Sequence, residues 1–256
     1  MDKKLTPIFG RVGSKRSLKN KIARLMPNDY DRYVEPFIGG GAVFLNTPLK
    51  GKSAINDKDA ELIRFWKMLK RGVGGNKEYY NSSSLEQLKA WYNSTPKTDI
   101  GRLTKYILKQ SNTFGNTGKG KLYKASNPYA KLKKLDELKA KLKDTSITSG
   151  DYKAVMRRYN NPKTFFYLDP PYSKAGEKRA QGDNASAGLY KEGNFSVEDM
   201  AKFLKTIKGK WLLSLENTSR IRNIFKGYKI RGITTGGGGN SGIGEKKRKE
   251  VFISNY

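Results

Sequence analysis

The sequence contains no cysteine and no histidine. Together the two absences exclude disulfide frameworks, Cys- or His-ligated zinc, catalytic triads, thiol nucleophiles and imidazole bases. Zinc-dependent base deamination falls with the zinc ligands, and methylation at C5 of cytosine falls with the thiol. Acidic residues are scarce: 23 Asp and Glu stand against 52 Lys and Arg, a formal charge of +29. No apolar run approaches the roughly 18 residues that span a bilayer, and Met1 to Pro7 lacks the apolar stretch of a secretory signal. An intracellular, cytoplasmic protein with no membrane partner is expected.

What is present suffices for a core. In 256 residues, 36% are apolar and 11% aromatic, too aromatic-rich for a disordered chain despite a mean hydropathy of −0.75. That length suits one α/β domain with an insertion, or two small domains. The positive charge points to a polyanion, and nucleic acid leads because phosphate neutralisation with counterion release is what dense Lys and Arg do best. An anionic membrane surface would call for an amphipathic helix with large apolar anchors. A Lys-rich composition without a partner is the remaining alternative.

Apolar period and punctuation give alternating strands and helices. Tyr33 to Phe37 reads as a strand ending in a glycine-rich turn, with a helix from about Ala42 and a second strand at Ser53 to Ile55 closing on Asn56-Asp57. Leu62, Phe65, Trp66 and Leu69 place a helix over Asp59 to Arg71. From 76 to 143 the pattern changes to short helices (Ser84 to Tyr92, Arg102 to Lys109), a basic loop (Phe114 to Lys124) and a helix marked by Leu132, Leu135, Leu138 and Leu142. This stretch reads as an insertion, so the main domain is expected over 1–75 and 144–256. Thr164 to Leu168 is a buried strand, followed by a polar segment from Ser173 to Asn194 long enough for a lid. Ser196 and Asp199 have the form of a capping box opening a helix to Ile207. Trp211 to Leu215 is a strand, Ser219 to Phe225 a helix, and Tyr228 to Thr235 with Val251 to Asn255 a terminal β-hairpin.

Three stretches carry chemistry. Asp169-Pro170-Pro171-Tyr172 directly follows the strand Thr164 to Leu168, and the carboxyl ends of strands are where open α/β sheets place ligands. Two prolines lock φ and remove two N–H donors, so the turn offers acceptors only, suited to an exocyclic amine with an aromatic ring beside it for stacking. Glu35-Pro36-Phe37-Ile38-Gly39-Gly40-Gly41 lies between a strand and the next element, where glycine lets a ligand approach the backbone. At the end of the following strand stands Asp57, placed to accept hydrogen bonds from ribose hydroxyls. The third stretch, Phe9 to Arg16, carries Lys15, which could reach a cofactor carboxylate or belong to a basic arm. Gly115 to Lys121 has P-loop spacing, but Leu122 stands where a hydroxyl is needed.

In their order, Gly13-Ser14-Lys15, Phe37-Ile38-Gly39-Gly40-Gly41, Asp57 and Asp169-Pro170-Pro171-Tyr172 resemble the Dam-like DNA adenine N6-methyltransferases. The likeness extends to Tyr190 and Phe195, to Ser214-Leu215-Glu216-Asn217, and to the closing Glu250-Val251-Phe252-Ile253-Ser254-Asn255-Tyr256. It implies a Rossmann-like S-adenosylmethionine domain carrying a helical target-recognition insertion at 76–143, with S-adenosylhomocysteine as product and no metal. By that likeness Phe9, Lys15, Glu35, Phe37, Gly39, Gly41 and Asp57 would hold the cofactor. Asp169, Pro170 and Pro171 would face the target amine with Tyr172 stacked on the extruded adenine, and Tyr190 and Phe195 would serve the lid and target base. The turn at Glu35-Pro36 departs from the commoner Asp-Pro.

An aromatic amine is a poor nucleophile because its lone pair is delocalised. Accepting its two hydrogens between the Asp169 carboxylate and the Pro170 carbonyl would favour a pyramidal nitrogen and offset the charge that develops as methyl arrives. No histidine base is needed. The base must leave the duplex to reach such a turn. Residues 100 to 143 hold 12 Lys and Arg against 2 Asp and Glu, so most contacts there should be to phosphates, with a few side chains of the loop Asn112 to Lys124 or the hairpin Gly236 to Lys249 reading bases; Asn112, Lys119, Lys121, Lys124, Lys246 and Arg248 are the expected DNA-binding residues. Methylation of adenine N6 in double-stranded DNA is the expected activity. Cytosine N4, adenine in RNA, or a catalytically silent DNA-binding protein are the alternatives. A monomer or weak dimer is expected, and a cognate restriction endonuclease stays open.

Overall fold

The computed structural model describes residues 5–9, 14–74, 84–113, 134–171, 195–235 and 248–256. In chain order the elements are α1 (Lys19–Leu25), β1 (Arg32–Glu35), β2 (Lys52–Asp57), α2 (Ala60–Lys70), α3 (Leu85–Asn93), α4 (Asp99–Ser111), α5 (Leu135–Leu142), β3 (Thr145–Ser149), α6 (Tyr152–Arg158), β4 (Thr164–Leu168), α7 (Val197–Leu204), β5 (Lys210–Glu216), α8 (Ser219–Ile224), β6 (Lys229–Thr235) and β7 (Arg248–Ser254). Single turns of 3-10 helix lie at Lys15–Ser17 and Phe44–Asn46. Packing divides the chain into two units: the first comprises Met1–Lys19, Gly39–Pro48 and Asp59–Ser149, the second Asn20–Ile38, Leu49–Lys58 and Gly150–Tyr256.

Six strands belong to the second unit, in the order β2-β1-β4-β5-β7-β6. The first four are parallel, and β7 runs antiparallel to both its neighbours. This is the Rossmann-like arrangement that the motif order implied, with the terminal hairpin in place. Strands buried on both faces read as continuous apolar runs, which is why Phe165-Phe166-Tyr167-Leu168 stood out. Alternation assigns their faces. Val34, Phe166, Leu168, Trp211, Leu213, Val251 and Ile253 share one core with Met156 of α6, Met200 and Leu204 of α7, and Ile221 and Phe225 at α8. On the other face Phe165 packs with Tyr30, Tyr33 and Tyr256, with ring centroids 5.5, 5.9 and 6.2 Å away. The Tyr256 hydroxyl donates to Leu25 O at 2.7 Å, tying the end of α1 to that layer.

The first unit builds on α2, whose Leu62, Ile63, Phe65, Trp66, Met68 and Leu69 are all buried, with Asp59 capping Leu62 N at 3.0 Å. α3 opens with a reciprocal pair: Gln87 N donates to Ser84 Oγ at 3.2 Å, and Ser84 N donates to Gln87 Oε1 at 2.6 Å. α4 and α5 bury Leu103, Ile107, Leu138 and Leu142. Phe9 joins this core, its ring 5.1 Å from Phe65 and 5.6 Å from Tyr106.

Four local expectations need correction. The helix expected from Ala42 is a single 3-10 turn, Phe44–Asn46. Asn46 Nδ2 donates to Ala42 O at 3.0 Å and Thr47 Oγ1 to Val43 O at 2.9 Å, so side chains take acceptors that a helix would use, and Pro48 prevents continuation. β3 and α6 were not anticipated, because β3 is Thr-Ser-Ile-Thr-Ser with only Thr145 buried, and such a half-exposed polar strand has no apolar run to betray it. At α7 the capping box closes on one side: Asp199 N donates to Ser196 Oγ at 3.1 Å, but the hydroxyl donates to Glu198 at 3.2 Å. Asp is a methylene shorter than the Glu or Gln that completes such a box. The helix also ends at Leu204 rather than Ile207, its last turn tightened by Thr206 N and Ile207 N donating to Phe203 O and Leu204 O.

Phe166 is wholly buried between β1 and β5. Replacing it with alanine should lower unfolding free energy by about 3–5 kcal/mol, measured by urea denaturation.

Candidate active site

The second unit brings several acidic residues to one end of the sheet. Printed pairs Glu35↔Ile55, Val34↔Phe166 and Leu168↔Leu213 set the levels. One to three steps further along the same ladders, Phe37, Asp57, Asp169 and Ser214 fall level with one another towards the carboxyl ends of β1, β2, β4 and β5. The order β2-β1-β4-β5 reverses direction between β1 and β4, the switch point where open α/β sheets leave a crevice. With neighbouring strands about 4.8 Å apart, Asp57 and Asp169 are separated by two spacings, about 10 Å.

Asp169 and Pro171 are partly buried and Pro170 is buried. Asp57 is partly buried as well. Glu35 is buried and accepts from the Tyr33 hydroxyl at 2.7 Å. Ser214 donates across to Glu250 at 3.4 Å, a second buried carboxylate at this end.

One residue that sequence reasoning passed over organises the turn after β1. Asn56 is buried, and its Nδ2 donates to Pro36 O at 3.1 Å and to Gly150 O at 2.9 Å. Its carbonyl accepts from Ile38 N at 2.9 Å, and Asp57 O accepts from Gly150 N at 3.1 Å. The turns after β1 and before α6 are thereby fastened to the end of β2. The only sequence signal was an amide placed directly before the strand-terminal acid.

An aromatic cluster stands on this frame. Phe37 lies 5.2 Å from Tyr152 at 32° and 6.3 Å edge-on from Phe195, while Tyr152 and Phe195 are 6.2 Å apart. Phe37 and Phe195, assigned by sequence to cofactor and to target base, are thus neighbours, and Tyr152 of the unanticipated α6 joins them. Burial, then the nearby Asp151 and Asp199 carboxylates, push the Tyr152 phenol up to about 12, so it stays a neutral hydroxyl at any working pH.

In the first unit the glycine turn divides its labour. Gly39 (φ +48°) has nothing within 4 Å of where a Cβ would sit. Gly41 (φ +71°) faces the Trp66 indole, which a Cβ would meet at 2.6 Å. Trp66 Nε1 in turn donates to Gly39 O at 3.2 Å. Within the second unit, an acidic strand end and an apolar ring cluster are the chemistry an adenosyl cofactor with a ribose asks for, so the residues present there fit that group.

Other sequence-nominated residues stand differently. Lys15 is 2% exposed. Phe9 spends its ring on the core and has only its backbone to offer, its carbonyl 3.5 Å from the Cβ position of Gly40. Asn112 is 3% exposed and donates to Leu108 O at 2.9 Å, closing α4 rather than presenting its amide to solvent. The Arg248 backbone pairs opposite Thr235. Tyr172, Lys119, Lys121, Lys124, Tyr190 and Lys246 lie outside the described residues.

The family model for the D12 class N6 adenine-specific DNA methyltransferases matches residues 12–97 and 76–235. The chain belongs to this family. Among curated relatives, the Type II methyltransferase M1.LlaDCHI of Lactococcus lactis subsp. cremoris is 29% identical over 98% of this chain and 96% of its own. The DNA adenine methylase of Vibrio cholerae is 24% identical over 91% and 92%. The DNA N-6-adenine-methyltransferase of Escherichia phage P1 is 27% identical over 64% of this chain and 24% of its own. This D12 methyltransferase therefore transfers methyl to N6 of adenine in DNA, and the mostly parallel sheet is its Rossmann-like catalytic fold. Among its described residues no helix is long and apolar enough to cross a membrane.

The two glycines of the turn should separate experimentally. Gly39→Ala meets only the left-handed φ and should cost about 1–2 kcal/mol. Gly41→Ala adds a collision with a buried indole and should cost clearly more, read from paired urea melts.

Proposed function

We propose that the D12 methyltransferase acts on double-stranded DNA at an adenine turned out of the helix, with S-adenosylmethionine supplying the methyl group from its sulfonium. Asp169 at the switch point between β1 and β4 carries this reading, because its partly buried carboxylate is followed by two residues that cannot donate. Asp169 and Pro170 O accept the two hydrogens of the target amine, hold the nitrogen toward sp³ and favour the positive charge that grows on it. The carboxylate orients the nitrogen, and the surplus proton leaves after transfer. Tyr172 covers the face of the flipped base.

Asp57 accepts from the ribose hydroxyls of the cofactor, and Phe37 with Tyr152 lines its adenosyl part. Gly39 lets the turn approach it and Gly41 seats that turn on Trp66, while Glu35 and Lys15 offer opposite charges to its amino-acid end. Residues 76–143 are the target-recognition insertion, where Lys119, Lys121 and Lys124 meet DNA, with Lys246 and Arg248 adding contacts from the hairpin. The Type II names of relatives from Lactococcus lactis and from Methanocaldococcus jannaschii favour a chain that works beside a restriction enzyme over a solitary one.

Asp169→Ala should reduce methyl transfer at least about a hundredfold while duplex affinity stays within a few-fold, in a tritiated-methyl assay run beside fluorescence anisotropy. Transfer near the wild-type rate would overturn the acceptor role. Two hydroxyl bonds to a carboxylate at about 1.5–3 kcal/mol each mean that Asp57→Ala should raise the cofactor dissociation constant at least tenfold by calorimetry. An unchanged constant removes Asp57 from the ribose.

A further inference from the structure

We propose a second DNA contact, blind to base sequence, in the first unit. It rests on the reading of the chain as a DNA methyltransferase. A cavity of about 1020 Å³ is walled by α2, residues 94–96, α4 and the first half of β3. Six cations line it: Arg64, Lys67 and Lys70 from α2, Arg71 at its carboxyl cap, and Arg102 and Lys105 from α4. Only two acids, Glu61 and Asp99, face them.

Both acids are already engaged. Asp99 accepts from Arg71 at 2.7 Å and from Arg102 at 3.3 Å, so two guanidinium groups share one carboxylate. Glu61 pairs with Lys109 at 3.4 Å. Lys70 donates to Thr145 O at 2.8 Å and Lys105 to Ser94 O. These acceptors are neutral carbonyls, so neither ammonium is neutralised by an acid among the described residues. Arg64 and Lys67 are exposed and meet no acid among the described residues.

The arrangement suits phosphates of a polymer better than one small anion or a base. Arg64, Lys67 and Arg71 fall at i, i+3 and i+7, a single stripe about 10 Å long, and cations strung along a stripe match charges repeated along a backbone. Hydroxyls of Thr95 and Ser146 add donors with no preference among bases. The aromatic residue in the lining, Tyr106, is buried and packed on Phe9 and Phe65, so it presents no face for stacking. Contacts of this kind position DNA without reading it.

The experiment uses the full-length double variant Arg64→Gln/Lys67→Gln, whose changes are both exposed. Affinity is titrated across salt for two duplexes, one of mixed sequence that the wild type methylates and one made only of G·C pairs, which holds no target adenine. Losing two phosphate contacts should flatten the slope of log affinity against log salt by about 2 and weaken both duplexes by the same factor, about tenfold at moderate salt. The cofactor dissociation constant and the methyl-transfer rate at saturating DNA should not change. An unchanged slope overturns the proposal, as does a loss confined to the mixed-sequence duplex, which would mean base reading. Equal sensitivity of a free mononucleotide to the double variant also overturns it, in favour of a small-anion site. Failure of the wild type to methylate any duplex would instead count against the activity, a result independent of the slopes.

Discussion

An amide with both hydrogens committed decides where the acidic strand ends stand. Asn56 donates to Pro36 O and to Gly150 O from a buried position. The bonds clamp the turn that leads from Glu35 to Phe37, and the turn that leads into Tyr152, onto the residue before Asp57. The placement of Phe37 against Tyr152 follows from that clamp, and so does the direction in which the chain leaves β1.

Around this frame the protein separates its two kinds of charge. Carboxylates Glu35 and Glu250 are buried at the sheet's carboxyl end, each accepting from a neighbouring hydroxyl, Tyr33 and Ser214 respectively. Several of the cations are outside, and some of those that meet an acid do so in solvent-exposed pairs, as with Arg220 and Glu198 or Lys210 and Asp29. Exposed pairs of this type contribute little to stability, so the excess of +29 is not a folding device. It acts on what approaches from solution, consistent with a polyanionic substrate.

Legibility followed burial. β4 and its Asp169 turn could be read because a strand covered on both faces is an unbroken apolar run, and α2 because its six buried residues recur at helical spacing. The family motifs were visible for the same reason that they work: a glycine at positive φ and a proline without a donor are chemical statements in themselves. β3 was not readable, since a strand of threonine and serine looks like a loop until it is paired. Neither was Tyr152, which lies in a seven-residue helix begun by Asp151, nor the stunted turn after Gly41, where Asn46 and Thr47 divert the acceptors. Asn56 was in plain view and mute, because its two partners come from 20 and 94 residues away.

The position of β7 sets an order of events. It lies between β5 and β6, so β6, though it comes earlier in the chain, has no place in the sheet until the later strand has arrived. Emergence from the ribosome and docking run in opposite sequence for this pair. A chain cut short anywhere between Thr235 and Arg248 would leave the rim of β5 without its β7 partner, and so offer a template for mispairing.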